Sequence, residues 1–119
     1  MIGPVLALVL LVNDGDTFKA RIEVWPGVEV VTAVRLRGID TPEIKGKCQA
    51  EKDRAIAARE LLRQLLAAGR VELREVELDK YAGRVDATVL VEGIPVAEAL
   101  INERLARRYT GGARQGWCQ

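Results

Sequence analysis

The strongest constraint on the fold is a run of three strand-like segments in the first 36 residues. Residues 5–12 are continuously apolar, whereas apolar and polar side chains alternate through residues 18–25 and again through residues 28–36. An alternation with a period of two is that of a β-strand. Turn-forming residues, Asn-Asp-Gly-Asp at 13–16 and Pro-Gly at 26–27, separate the segments. The pattern predicts an antiparallel meander, with the first, wholly apolar strand buried on both faces.

The apolar period then changes to that of a helix. Residues 50–68 carry apolar side chains three and four positions apart, and Gly69 follows as a stop signal. Strand-like patterns return at residues 71–78 and 85–91, and Pro95 lies near the first turn of a second predicted helix. From residue 110 the chain is rich in glycine and includes Arg114, so an irregular tail is predicted.

This order of elements favours one compact architecture. Three strands, a helix, two strands and a helix predict an α+β, mainly β fold: a five-stranded barrel of the oligonucleotide-binding type with two to three flanking helices. A chain of 119 residues is long enough for one hydrophobic core. We therefore expect a single domain over residues 1–119.

Missing residue types exclude several classes of enzyme. The chain has no histidine and no serine, so serine hydrolases, histidine bases and histidine-bound zinc are excluded. Its two cysteines are too few for a four-thiolate zinc site. Chemistry here must use carboxylates, Arg, Lys, Tyr, Thr and water, around a cation that prefers oxygen ligands.

The net charge of +1 gives no strong positive field, so contact with nucleic acid requires a local basic patch. Four arginines near the C-terminus provide a candidate: Arg104, Arg107, Arg108 and Arg114. The alternative is a solvated helix end whose basic side chains suit the helix dipole.

Residues 35–43 (RLRGIDTPE) allow two interpretations. Arg35 and Arg37 share one strand face, opposite the core, and two carboxylates, Asp40 and Glu43, follow the strand. Arginine suits phosphate oxygens, while carboxylates hold hard cations and orient water. Alternatively, Asp40 or Thr41 caps a helix that begins at the following proline.

The two cysteines, Cys48 and Cys118, lie in polar segments far apart in the sequence. We expect a disulfide between them, which implies an oxidising compartment. Two buried free thiols are the alternative.

Residues 5–12 are too short to span a bilayer and lack the flanks of a signal peptide. An exported protein, secreted or periplasmic, whose leader is absent from this chain is therefore expected, with a cytoplasmic location still open.

Three motifs in order resemble the staphylococcal-nuclease-like, or thermonuclease, family of calcium-dependent nucleases. They are residues 12–17 (VNDGDT), 35–43 (RLRGIDTPE) and 79–84 (DKYAGR). The helix stretch 96–100 (VAEAL), followed by Leu105 and Ala106, also matches. The resemblance covers about residues 5–110 and implies a Ca²⁺-dependent phosphodiesterase of the micrococcal-nuclease type. Its substrates are single-stranded or locally open DNA and RNA, and its products carry 3′-phosphates. A monomer without membrane association is expected.

The resemblance also implies roles for individual residues. Asp16, Asp40 and the Thr41 carbonyl are similar to Ca²⁺ ligands, with Asp14 next to that ligand group. Glu43 resembles the residue that positions or deprotonates the attacking water. Arg35 and Arg84 resemble the pair that binds the scissile phosphate. Tyr81 and Tyr109 are similar to the aromatic residues of the nucleotide pocket.

The sequence departs from the family pattern in three places. Ala82 is inserted before Gly83, the loop after Glu43 is shorter, and Tyr109 is one position closer to the preceding helix. The insertion affects the expected position of Tyr81 more than that of Arg84. A catalytically silent barrel that binds nucleic acid or protein is the alternative function, although such copies are expected to lose the arginine or carboxylate positions.

Overall fold

The computed structural model describes residues 4–80 and 83–118. The strands are β1 Val5–Val12, β2 Thr17–Trp25, β3 Val28–Leu36, β4 Ile39–Asp40, β5 Val71–Leu78, β6 Arg84–Val91, β7 Ile94–Pro95 and β8 Arg107–Arg108. The helices are α1 Gln49–Ala67 and α2 Val96–Asn102. All of the long elements predicted from the hydrophobic pattern are present.

Five strands close into a barrel. Antiparallel pairing runs in the order β3-β2-β1-β5-β6, and a parallel pairing of β3 with β6 joins the two ends. The predicted α+β architecture, an oligonucleotide-binding barrel with flanking helices, is confirmed. Closure leaves no free sheet edge between these strands. It also places Arg35 on β3 between Thr17 on β2 and Asp86 on β6.

The core lies inside the barrel and under α1. Phe18, Leu36 and Leu73 are fully buried inward-facing strand residues. The apolar face of α1 covers one end of this core, with Ala58 and Leu62 fully buried. Burial of each large side chain contributes roughly 1.5–3 kcal/mol.

The prediction that β1 is buried on both faces is wrong. Val5, Ala7 and Val9 pack against the core, but Leu6 and Leu8 on the opposite face are 55% and 58% exposed. An antiparallel barrel strand packs only one face on the core, and the described residues leave the other face of β1 largely exposed. Among the described helices, none is long and apolar enough to cross a bilayer.

A disulfide joins Cys48, which caps the start of α1, to Cys118 at the end of the irregular tail. The pairing expected from the sequence is therefore present. The bridge spans 70 positions in sequence, and cross-linking a loop of this length stabilises the fold by about 4 kcal/mol in the chain-entropy model. It returns the tail, including the buried Trp117, to the first turn of α1.

Candidate active site

The predicted site residues converge on one cleft with a volume of about 530 Å³. Its walls come from the β1–β2 turn, the segment after β3, the β5–β6 connection and the C-terminal tail. The predicted residues that line it are Asp14, Asp16, Arg35, Asp40, Thr41, Glu43, Arg84 and Tyr109. Tyr81 and the inserted Ala82 lie outside the described residues.

A glycine allows the β1–β2 turn to enter the cleft. A Cβ atom on Gly15 would lie 2.6 Å from the Cβ of Ala58 and 3.3 Å from the Cβ of Thr41. Only a residue without a side chain allows this approach to α1. The Leu36 N–H donates to the Asp16 carbonyl at 2.8 Å, which fixes the turn against the end of β3. Asp16 thereby reaches the same cleft as Thr41.

Two carboxylates lie close together in this turn. The Asp16 N–H donates to Asp14 Oδ1 at 3.1 Å, and the Thr17 hydroxyl donates to Asp16 Oδ1 at 2.9 Å. Burial raises the pKa of Asp16 from 3.8 to about 6, and the hydrogen bond and charge of Asp14 act in the same direction. Arg35 opposes this shift only in part. Negative charge at this point is therefore incompletely compensated by the protein.

Arg35 projects from β3 into the cleft. Its Nη1 donates to the Leu36 carbonyl at 3.2 Å and its Nη2 to the Ile39 carbonyl at 3.0 Å. The same Nη2 lies 3.7 Å from Asp16 Oδ2. These contacts fix the direction of the planar guanidinium group.

The prediction that Arg35 and Arg37 share one strand face is wrong. Strand β3 ends at Leu36, so Arg37 lies in a turn. Its Nη2 contacts the Glu75 carbonyl at 2.5 Å and Glu77 Oε1 at 3.5 Å. Arg37 is therefore bound by the β5 strand and does not line the cleft.

The helix-cap interpretation of residues 40–43 is wrong. Asp40 lies in the short strand β4, where it pairs with Arg107 of β8, and α1 begins only at Gln49. Asp40 and Thr41 are buried, although both line the cleft. Backbone pairing of β4 with β8 therefore fixes the position of these residues, and no helix begins at them.

Sequence reasoning missed Glu51, which holds the segment that carries Glu43. Glu51 is 5% exposed, and its Oε2 accepts from the Glu43 N–H at 3.1 Å. Its Oε1 accepts from the Lys47 N–H at 3.0 Å. These backbone hydrogen bonds, first that of Lys47 and then that of Glu43, lower the pKa of Glu51. The available signal in the sequence was an acidic residue in the first turn of α1.

Arg84 lines the cleft from the start of β6, the strand that pairs with β3. Its Nε donates to Asp79 Oδ2. Burial acts to raise the pKa of Asp79, but the hydrogen bond and charge of Arg84 lower it overall. Burial and the charge of Asp79 raise the pKa of neighbouring Asp86. Neither aspartate was singled out from the sequence.

The tail delivers a third arginine, Arg114. Its Nη2 lies 2.5 Å from Asp40 Oδ1 and its Nη1 lies 2.6 Å from Glu43 Oε1. Its Nη2 also donates to the Thr41 carbonyl at 3.3 Å. The sequence placed Arg114 in a general basic patch, because nothing in its spacing showed that the disulfide folds the tail over the cleft.

The donor set of the cleft suits a hard cation. Asp16, Asp40 and the Thr41 carbonyl offer oxygen, and six carboxylates face four cationic side chains around the cleft. Ca²⁺ takes six to eight oxygen ligands, so water and substrate must supply several. Among the described residues, the one group of three close metal-ligating side chains is Cys48, Glu51 and Cys118, whose sulfurs are joined in the disulfide.

One comparison with known proteins identifies a family. The family model described as staphylococcal nuclease homologue matches residues 33–116. That range contains Arg35, Asp40, Glu43 and Arg84, whereas Asp16 precedes it. No curated protein is significantly similar to the chain. Because the family model covers more than half of the sequence, the chain belongs to the staphylococcal nuclease homologue family.

Proposed function

We propose that this protein is a Ca²⁺-dependent nuclease that hydrolyses phosphodiester bonds of DNA and RNA. The observation that carries the proposal is the meeting of Asp16, Arg35, Asp40, Glu43 and Arg84 in one cleft. These residues come from separate segments of the chain. Family membership supports nuclease chemistry, and the retained set of charged groups favours an enzyme over a silent binding module.

Arg35 and Arg84 are the proposed phosphate ligands. A guanidinium group presents donors in a planar fork that matches two phosphate oxygens. Arg35 is already oriented by the Leu36 and Ile39 carbonyls, so little side-chain freedom is lost when phosphate binds. As negative charge increases on the equatorial oxygens of the transition state, two preoriented cations stabilise it more than the ground state.

Glu43 is the proposed base or orienting group for the attacking water. Its carboxylate is partly exposed to the cleft, and its backbone is held by Glu51. Asp16, Asp40 and the Thr41 carbonyl would hold the Ca²⁺ ion, which supplies Lewis-acid polarisation of a phosphoryl oxygen when bound. The excess of acidic groups in the cleft and the raised pKa of Asp16 support a cation at this position.

Attack by water on phosphorus is proposed to break the bond to the 5′ oxygen, which leaves a 3′-phosphate. Single-stranded or locally open nucleic acid is the proposed substrate, and membership of the nuclease family supports it. Tyr109 lines the cleft and is proposed to contact the substrate. The disulfide supports the proposal of an oxidising compartment outside the cytoplasm.

The proposal is tested by incubating labelled single-stranded DNA and RNA with the protein in Ca²⁺ and in EGTA. We expect cleavage in Ca²⁺ alone. Arg35→Lys keeps the charge and loses the fork, and we expect a rate about a hundredfold lower. Arg21→Lys, on the neighbouring strand, is the matched control and should cleave at the wild-type rate. Binding of the strand with no cleavage in Ca²⁺ would favour the silent module.

A further inference from the structure

Two arginines outside the cleft share one buried tryptophan. The guanidinium carbon of Arg54 on α1 lies 5.2 Å from the centroid of the Trp117 ring, and that of Arg107 on β8 lies 3.7 Å from it. Trp117 is 5% exposed, so the ring is a fixed part of the fold. The two cations are therefore held near each other by the same ring.

The hydrogen bonds of these two guanidinium groups go to backbone carbonyls. Among the described residues, none of the ten close ion pairs includes Arg54 or Arg107. Arg54 Nη2 donates to the Arg104 carbonyl at 2.9 Å, and Arg107 Nη1 donates to the Gly116 carbonyl at 2.8 Å. Each guanidinium group retains further N–H donors, since it carries five in total.

A cavity of about 420 Å³ lies beside these groups. Arg54, Arg107, Gln115 and Trp117 line it. An anion in this cavity would relieve the repulsion between two neighbouring cations and accept their remaining hydrogen bonds. Phosphate oxygens suit this arrangement because arginine binds them through a planar fork.

One further cavity shares lining residues with this cavity and with the proposed active site. A second cavity of about 230 Å³ is lined by Asp40 and Tyr109, which also line the catalytic cleft. Arg107 and Gln115 line this second cavity and the cavity beside Trp117. The β4–β8 pairing places Asp40 directly opposite Arg107, and the cavity of about 230 Å³, which both residues line, lies between the other two.

We propose that Arg54 and Arg107 form a phosphate site for the strand that is cut in the catalytic cleft. This site binds a phosphodiester of the substrate backbone other than the scissile one. The protein should therefore bind oligonucleotides more tightly than dinucleotides, which have a single phosphodiester. This inference rests on the proposed function, since it takes its ligand to be that nuclease's substrate. The contact is with phosphate and carries no base specificity.

The test measures binding of fluorescent single-stranded DNA by anisotropy in Ca²⁺, using Glu43→Gln protein to prevent cleavage. Adding Arg54→Gln should weaken binding of a twelve-nucleotide strand about tenfold at low salt and leave a dinucleotide unaffected. The slope of log affinity against log salt should fall by about 0.7 for each lost phosphate contact. Arg63→Gln, also on α1 but ion-paired with Glu60, is the matched control and should behave as the parent.

The Arg54→Lys variant and a measurement of inorganic phosphate binding distinguish a strand-binding site from a site for free anions. Arg54→Lys keeps the charge without the fork, and it should retain most of the salt slope if phosphate is the ligand. An unchanged affinity and slope in Arg54→Gln, at an unchanged melting temperature, would overturn the inference. Weaker binding of inorganic phosphate with unchanged strand binding would overturn it too, since it indicates a free-anion site. Failure of the Glu43→Gln parent to bind any strand would instead contradict the proposed substrate, and the inference with it.

Discussion

The carboxylate of Glu51 accepts a hydrogen bond from the Glu43 N–H at 3.1 Å, which ties the proposed catalytic segment to the first turn of α1. The same side chain also accepts from the Lys47 N–H at 3.0 Å. One buried carboxylate thus closes the loop between β4 and α1. The position of Glu43 therefore depends on a residue that does not itself line the cleft.

Replacing Glu51 should impair Glu43 without removing it. Glu51→Ala removes the carboxylate that accepts from both backbone N–H groups, and we expect the rate of DNA cleavage to fall about tenfold or more while the protein still binds single-stranded DNA. Glu51→Gln keeps one carbonyl oxygen and should lie between wild type and Glu51→Ala. Glu60→Ala, elsewhere on α1, is the control for loss of a helix carboxylate. Equal cleavage rates in all three variants would show that Glu51 does not position Glu43.

Gly15→Ala should destabilise the fold. Its Cβ would lie 2.6 Å from the Cβ of Ala58, and neither the turn nor the helix can move without loss of packing. Overpacking of this kind costs about 1–3 kcal/mol, measured as a lower midpoint in urea unfolding. Gly116→Ala is the control, because a Cβ there meets no heavy atom of the described residues within 4 Å, its two chain neighbours apart. Equal midpoints for the two variants would contradict the close approach of the turn to α1.

Asp16 should make the metal-free protein lose stability as the pH rises. Its folded pKa of about 6 exceeds the ordinary value of 3.8, so the folded state binds this proton more tightly than the unfolded state. The resulting stabilisation is complete below pH 4 and is lost as the pH passes 6. The Asp16→Asn variant lacks this pH dependence. Between pH 4 and pH 6, its free energy of unfolding should therefore rise relative to that of the wild type by up to about 3 kcal/mol.

This difference is measured by urea unfolding in EGTA from pH 4 to pH 7. Asp53→Asn, which changes an exposed aspartate of α1, controls for the loss of one charge. A constant difference between Asp16→Asn and wild type across the range would show that the Asp16 pKa is not raised.

Arg114→Gln should strengthen Ca²⁺ binding. The Arg114 guanidinium contacts Asp40 Oδ1 at 2.5 Å and Glu43 Oε1 at 2.6 Å, so it competes with a divalent cation for the same carboxylates. Because Arg114 is partly exposed, solvent weakens the effect, and we expect about three- to tenfold tighter binding by calorimetry. Arg108→Gln, whose side chain pairs with Glu98, is the control.

Reduction of the disulfide should also strengthen Ca²⁺ binding, because the bridge between Cys48 and Cys118 holds the tail that carries Arg114 over the cleft. In Arg114→Gln protein, reduction should change Ca²⁺ affinity little. Unchanged or weaker Ca²⁺ binding in Arg114→Gln would contradict competition at these carboxylates.

Much of the fold could be predicted because its signals are local. The alternation in β2 and β3 and the helical spacing in α1 each report on neighbouring residues, and the barrel follows from their order. The burial of β1 could not be predicted, since Leu6 and Leu8 look alike whether or not another surface covers them. The helix cap at Asp40 was wrong because a two-residue strand pair, β4 with β8, decided the local structure.

The site was predictable where it follows motifs and unpredictable where it depends on distant contacts. Asp16, Arg35, Asp40, Glu43 and Arg84 line one cleft, as expected from their ordered motifs. The positions of Glu51 and Arg114 depend on the folded loop after β4 and on the tail tethered by the disulfide. No periodicity in the sequence encodes either contact.

The measurement that tests the central claim most directly is single-turnover cleavage of single-stranded DNA in saturating Ca²⁺ by wild-type and Glu43→Gln protein. Removing a base or water-orienting group typically lowers the rate about 10²–10⁴-fold. We predict a loss in that range, wild-type products with 3′-phosphates, and no loss in Glu29→Gln, which changes an exposed glutamate outside the cleft. Cleavage by the wild-type protein no faster than by Glu43→Gln would contradict the account.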